Sequence, residues 1–580
     1  ASFSMNRVHE DLGPQGERTK RNTMRGVIGV EGSLSDRWSF ELSYNYGRTE
    51  ITSHFLNSIY PARMALAADA VRDTTGVLGT PNAIVCRARL NAGGVTTGNA
   101  AIDTCVPVNL FGYGAIDGSA RDYLAVNTKA TGLLQQHVVG GFISGDTGGF
   151  FSLPGGPVKL VAGFEYRDES TRYSPDARDL AGETSFSGFQ PIKGSFDVVE
   201  GYGEVKLPLL ADVPGARLLE LSGAVRVAKY SLSGVNTEVS WGGGAVYEPF
   251  DGLRLRGSYQ RAARAPNLAE LFQPTVGTRF SVFDPCSMGN TNQGTPSRAA
   301  NCLALGVPAD FVATTIGSLV PGSTGGNPDL DVEKGTTWTL GMVLTPRFLP
   351  GFSLTVDYYN IKLTDAITSI PVNTIINQCV DSPTIENVFC PLITRDPTTH
   401  EITNIAQRAV NLTKLTASGV DVEARYGVPV GGANLDFRAM ASYVIDRDDF
   451  LSPTLPDFPT QQVETVSRPR LAANFGTTLT FGAFSFDHNL RYFSSQYRGP
   501  VANFESVGGQ PPLNPDSLPP EYRKTGHRFV HDVRAGLTFG ESSEFYVGVD
   551  NLFDSKPPLG IYGAGFGGAY VMATGVMAGS

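Results

Sequence analysis

From Trp38 onward the chain alternates. Trp38, Phe40, Leu42, Tyr44 and Tyr46 are apolar or aromatic, and Ser39, Glu41, Ser43 and Asn45 between them are polar. Successive side chains of a strand point to opposite faces, so this spacing predicts a strand with one oily face and one wet face. The pattern returns at Val158, Leu160, Ala162, Phe164 and Tyr166, at Leu219, Leu221, Gly223, Val225 and Val227, and at Val239, Trp241, Gly243, Ala245 and Tyr247. It returns again at Phe352, Leu354, Val356 and Tyr358, at Leu435, Phe437, Ala439, Ala441 and Tyr443, and at Phe529, His531, Val533, Ala535, Leu537 and Phe539. About sixteen such strands can be traced, many of roughly ten residues or more, against ~5–6 in a typical globular sheet. Aromatic residues collect near their ends, as interfacial girdles require.

The links between strands also alternate, short then long. Short links such as "SLSDRW", "LPLLADVPGAR", "YEPFDG", "TPRFLPG", "VPVGGAN", "FGA" and "GESSE" carry the Pro, Gly and Asp of tight turns. Long links fall near 47–132, 168–195, 265–333, 365–416, 446–467, 498–526 and 554–569, and the short "SLSGVN" breaks the parity once. A soluble β-sandwich also alternates, but it has no reason to keep all its long loops at one end. Strand length and loop parity together predict an all-β fold, a transmembrane antiparallel β-barrel with long extracellular loops.

Composition changes that picture little. The 580 residues include 67 Gly, 10% aromatics and only 18% charged residues. No run of ~18 apolar residues occurs, which excludes a transmembrane helix but not a barrel, whose strands need only ~9–11 residues. A net charge of −10 offers no basic surface for nucleic acid. The first residues lack the charged and apolar regions of a signal peptide, so export requires either a removed signal or further chain before Ala1.

Six cysteines fall as Cys86 and Cys105, Cys286 and Cys302, and Cys379 and Cys390. Each couple lies in one long link, and strand parity puts those three links on the same, external side. Local couples in an even count suggest disulfides made in an oxidising compartment, although six cysteines allow fifteen connectivities. Free thiols would not cluster this way, and zinc lacks a Cys-x-x-Cys spacing.

Several segments resemble the barrel of the TonB-dependent transporters. "GSYQRAARAPNLAELF" (257–272) resembles the family's strand ending in an Arg-Ala-Pro-Asn loop start, and "NPDLDVEKGTTWTLGM" (327–342) its Asn-Pro-x-Leu-x-x-Glu lead into the next strand. "VDYYNIKLTDAI", "ASGVDVEARY" and "VGVDNLFDSKPP" follow in the family's order, so the resemblance spans most of Arg25 to Pro558. It implies a plugged outer-membrane barrel, driven by TonB and the ExbB–ExbD motor through the plug, that imports a scarce nutrient such as siderophore-iron, cobalamin, an oligosaccharide or a peptide. The sequence departs from the family in three ways. Neither a plug nor a TonB-contacting box is found, sixteen or seventeen strands stand against about twenty-two in such transporters, and "AYVMATGVMAGS" has no terminal aromatic. The expectation is therefore one β-barrel domain over 1–580, with the plug and first strands missing or carried by another chain.

The resemblance also implies that Arg261, Arg264, Asn267 and Glu270 line the lumen near the plug, bonding to the plug or loops or touching substrate. Phe111, Tyr113, Phe186, Phe189, Phe280 and Phe283 are loop aromatics able to stack on a ligand or on each other. His527 and His531 have helical metal-pair spacing, but in a strand they stand ~13 Å apart. Asp329, Asp331 and Glu333 lack the calcium-loop pattern and read as a solvated strand start. "GAGFGG" from Gly563 follows no buried strand and opens no helix, so it reads as an external loop rather than a nucleotide loop. No catalytic constellation, cofactor or metal site is expected. Three functions stay in play: energised import, a passive porin, for which sixteen strands is also a fitting number, and a barrel that anchors a surface adhesin or enzyme.

Overall fold

The computed structural model describes residues 10–185, 190–314, 319–450, 459–507, 511–512, 515–540, 543–556, 559–561 and 571–573. Among these residues the wall is a meander of sixteen strands: β1 (Gly16–Ser35), β2 (Trp38–Ile59), β3 (Ala125–Asp146), β4 (Lys159–Ser174), β5 (Ile192–Val213), β6 (Ala216–Tyr230), β7 (Glu238–Phe250) and β8 (Leu253–Arg264). The second half comprises β9 (Glu333–Leu344), β10 (Phe352–Ser369), β11 (Ile402–Val430), β12 (Ala433–Phe450), β13 (Leu471–Phe481), β14 (Phe484–Phe493), β15 (Arg528–Phe539) and β16 (Ser543–Val549). Each strand pairs antiparallel with the next. Among the described residues β1 bonds only β2 and β16 only β15.

Register shows why the alternation was readable. Trp38, Phe40, Leu42 and Tyr44 stand opposite Gly145, Ile143, Gly141 and Val139 on one face. The opposite face sets Ser39 against Ser144 and Ser43 against Gly140. A Cβ at Gly145 would meet the Trp38 ring at 2.4 Å, so glycine there lets the indole lie flat across the neighbouring strand. Leu42, Trp241, Tyr259, Leu340 and Phe475 on the oily face are 41–57% exposed, the condition of side chains that meet lipid.

The strands run longer than the sequence pattern predicts. β2 and β3 continue to Ile59 and from Ala125, so the first long loop is 60–124 rather than 47–132. β11 starts at Ile402, well before the expected 416. The link read at 207–217 shrinks to two residues, because β5 continues through a bulge at Pro208. The first two extensions project on the long-loop side, where loops rather than lipid border the sheet. The oily face is no longer required there, and period two fades while the ladder persists.

The buried clusters lie at this external end, not in the wall. One joins Val282, Val307 and Val320 of loop 265–332 to Ile375, Ile376 and Phe389 of loop 370–401. A second is built from Leu12 and loop 60–124, and a third from loop 494–527. A fourth seats Leu271 and Leu330 on Phe196, an inward residue of β5, so the chain after β8 dips into the mouth of the barrel.

Candidate functional site

The mouth is organised where β8 leaves the wall. Asn267 caps the helical turn Leu268–Phe272: its side-chain oxygen accepts from the N–H of Ala269 (3.0 Å) and Glu270 (2.8 Å). Glu270 returns the bond by accepting from the Asn267 N–H at 2.8 Å, which completes a capping box. Arg264 donates to both Glu270 oxygens at 3.2 Å and through Nε to Glu333, the first residue of β9. Glu333, only 8% exposed, also accepts from the Ile367 N–H at 2.7 Å. Asn327 closes the knot, donating its backbone N–H to Glu270 O at 2.8 Å and Nδ2 to Ala409 O at 3.0 Å. The two motifs around 264–270 and 327–333 are thus one hydrogen-bonded latch.

Above it, loops 265–332 and 370–401 form a single body. Arg298 on helix Arg298–Ala304 donates Nε to Asp381 at 2.7 Å, at the end of helix Val372–Asp381, with both side chains largely buried. Arg395 reaches Asp284 with two bonds of 2.6 and 2.7 Å, also buried. Disulfides join Cys286 to Cys302 and Cys379 to Cys390 within this body, and Cys86 to Cys105 in loop 60–124. In that loop the Asp73 carboxylate accepts from the N–H groups of Leu78, Val77 and Gly76, which hold it below the usual carboxylate range against the cost of burial. Thr97 and Gly98 do the same for Asp103, and Thr399 and Thr398 for Asp396.

Below the latch the inward positions of the alternation carry charge. Arg256 meets Asp357 with bonds of 3.0 and 2.6 Å, Arg491 meets Asp532 at 3.1 Å twice, and Glu423 takes both Arg425 and Arg438. A concavity of about 460 Å³ in this wall is lined by Asp357, Asp421, Glu423, Ser442, Asn474 and Arg491, among others. An oily exterior, a charged and hydrated interior and roofing loops form one arrangement. A sequence model described as TonB dependent receptor-like, beta-barrel, matches residues 6–552. The chain belongs to this TonB-dependent receptor family, whose barrels lie in the bacterial outer membrane. Solved structures similar to it include the siderophore receptor PirA from Acinetobacter baumannii (14% identity, 94% of this chain and 76% of that one, TM-score 0.47). A mutant of the ferric enterobactin receptor PfeA from Pseudomonas aeruginosa aligns at 12% identity over 96% of this chain and 67% of that one, with TM-score 0.50. At that identity the likeness concerns the fold alone. No curated protein sequence matches.

Within this TonB-dependent receptor barrel the singled-out residues separate. Arg264, Asn267 and Glu270 come together in the latch. Arg261 does not: it pairs across the sheet with Trp241 and Thr336, on the outward, lipid-side face opposite to Arg264. Glu333 differs from a solvated strand start, since Arg264 and the Ile367 N–H occupy it in a buried setting, while Asp329 stays exposed. Tyr113 (90%), Phe111 (69%) and Phe283 (54%) stand exposed on the loops, whereas Phe280 packs on the 265–332 core. Phe186, Phe189 and the segment from Gly563 lie outside the described residues. His531 meets His488 at 3.0 Å and His527 meets the Tyr492 hydroxyl at 2.8 Å, two separate contacts. Among the described residues no cluster of three or more His, Cys, Asp or Glu side chains is arranged to hold a metal. Sequence reading missed the luminal ion pairs, although their signal was present: the charged residues at inward positions of the alternating runs.

Proposed function

We propose that this barrel is the wall and outer half of the binding site of an energised importer. Cargo is captured among the external loops and passes inward when TonB, powered by ExbB–ExbD, pulls on a plug domain carried by this polypeptide or a second one. The observation that carries this reading is the double-loop body over the mouth, with its own core, two disulfides and two buried ion pairs. A diffusion pore needs no such roof, whereas a receptor that must recognise a rare solute needs a rigid, preorganised surface. The charged inner wall supports the same reading, because paired Arg and carboxylate groups offer hydrogen bonds to a hydrophilic plug or solute without leaving bare charge. A ferric siderophore is the first cargo to test, since receptors named for such ligands share the fold. No covalent step is assigned.

Uptake of radiolabelled ferric siderophore by cells expressing the full protein, with and without TonB, tests the proposal. Uptake that vanishes without TonB is expected. Undiminished uptake together with a steady open conductance in a planar bilayer would establish the porin reading instead. Surface binding with no uptake in either strain would favour an anchored adhesin.

A further inference from the structure

The outward face above the aromatic belt of β8, β9 and β10 carries cations that the import reading does not use. Arg261 stands opposite Thr336, and Thr336 opposite Lys362, so the three share one row across adjacent strands. Lys334 lies one row further out, between Ala263 and Thr364. With strands about 4.8 Å apart, Arg261 and Lys362 are roughly 10 Å from each other, and both side chains can converge over the Thr336 hydroxyl. Arg261 and Lys362 are exposed and make no ion pair among the described residues. Lys334 has only a loose contact with Asp331, at 3.7 Å. The outward positions of these strands, from Leu253 to Ala263, Lys334 to Leu344 and Phe352 to Thr364, hold no carboxylate.

Immediately toward the membrane lie Trp338 and Tyr358, their rings 4.8 Å apart, and Trp241 with Tyr259 at 5.4 Å. Trp and Tyr mark the headgroup level, and Leu340, Leu255 and Met342 continue the same face downward into hydrocarbon. We propose that Arg261, Lys334 and Lys362, with Thr336 between them, form a binding site for a phosphorylated lipid of the outer leaflet. The cations and hydroxyl hold the phosphate, and the acyl chains follow the Trp338–Leu340–Met342 face. A free phosphate would use the cations but gain nothing from the belt and the oily face beneath.

Native mass spectrometry of the full chain in detergent tests this with phosphatidic acid, diacylglycerol of the same acyl chains, and inorganic phosphate. Each interfacial cation is worth about fivefold, so the combined Arg261→Gln, Lys334→Gln and Lys362→Gln variant is expected to lose phosphatidic acid binding by well over tenfold. Diacylglycerol is expected to bind weakly to both proteins. Equal phosphatidic acid binding by variant and parent would overturn the proposal, as would equal retention of diacylglycerol. Inorganic phosphate that displaces phosphatidic acid at equal concentration would reduce the site to a phosphate site and defeat the lipid assignment. If the combined variant does not insert, Lys362→Gln alone must weaken binding about fivefold and Lys362→Arg must not.

Discussion

The roofing body and the membrane wall are held together by different physics. The body of loops 265–332 and 370–401 behaves like a small globular domain, with Phe389 and Ile375 fully buried against Ile405 of β11 and Arg298–Asp381 sealed inside. Among the described residues the wall has no comparable core. Its backbone ladder joins each strand to the next, its oily residues face lipid, and pairs such as Arg256–Asp357 sit on an open, wet surface. Similar ion pairs therefore carry different weights. In the body, removing one partner strands a charge in a dry setting; in the wall, water takes its place.

The largest effect is expected from Arg298→Ala, which leaves Asp381 buried and unpaired. About 3–5 kcal/mol of local stability should be lost from the body, seen as faster hydrogen exchange over 282–307 and 372–392 with the wall unchanged. If the wall loosened equally, the two regions would be one cooperative unit and the contrast would fail. Replacing Cys379 and Cys390 together by Ser opens a short loop within the same body and should cost about 3 kcal/mol, read by the same exchange experiment. Arg264→Ala frees Glu333 in the latch. Its guanidinium is nearly half exposed, so the loss should be smaller, about 1–2 kcal/mol, with exchange rising at 267–272 and 327–332 together if the latch is one knot. Arg256→Ala in the wall should change stability by less than about 1 kcal/mol and leave hydrogen exchange along the β8–β10 ladder unchanged.

Acid sharpens the contrast most gently. The carboxyls of Asp73, Asp103 and Asp396 are held below their ordinary values by N–H donors, so their contribution is full above the ordinary carboxylate range. It is lost only as pH falls through the lowered folded values. Exchange in loops 60–124 and 396–401 should therefore rise below about pH 4, while the β2–β3 ladder stays protected. Flat exchange down to pH 2 would remove these carboxylates from the account of loop order.

The wall was legible in the sequence because each crossing strand has lipid on one side and water on the other, which writes period two into residues such as Trp38 to Tyr46. The strand extensions were not, since Ile402 to Arg408 border other loop segments rather than lipid. The latch was half legible. Arg264, Asn267 and Glu270 stood out together, but Glu333 is sixty-odd positions away and was read with Asp329 and Asp331 as a solvated strand start. The resemblance places Arg261 in the lumen with the other three, whereas the register sets it on the outward face, opposite Trp241.

By itself, then, the sequence determined the class of fold, the order of strands, the side on which the long loops lie and the setting of the six cysteines. Those follow from local alternation, turn chemistry and short-range spacing, which act between near neighbours in the chain. Only the tertiary structure decided which loops fuse into one body, which charges meet and which face each strand-end residue takes. Those depend on contacts between residues far apart in sequence, whose pairing is fixed by register and burial rather than by local pattern.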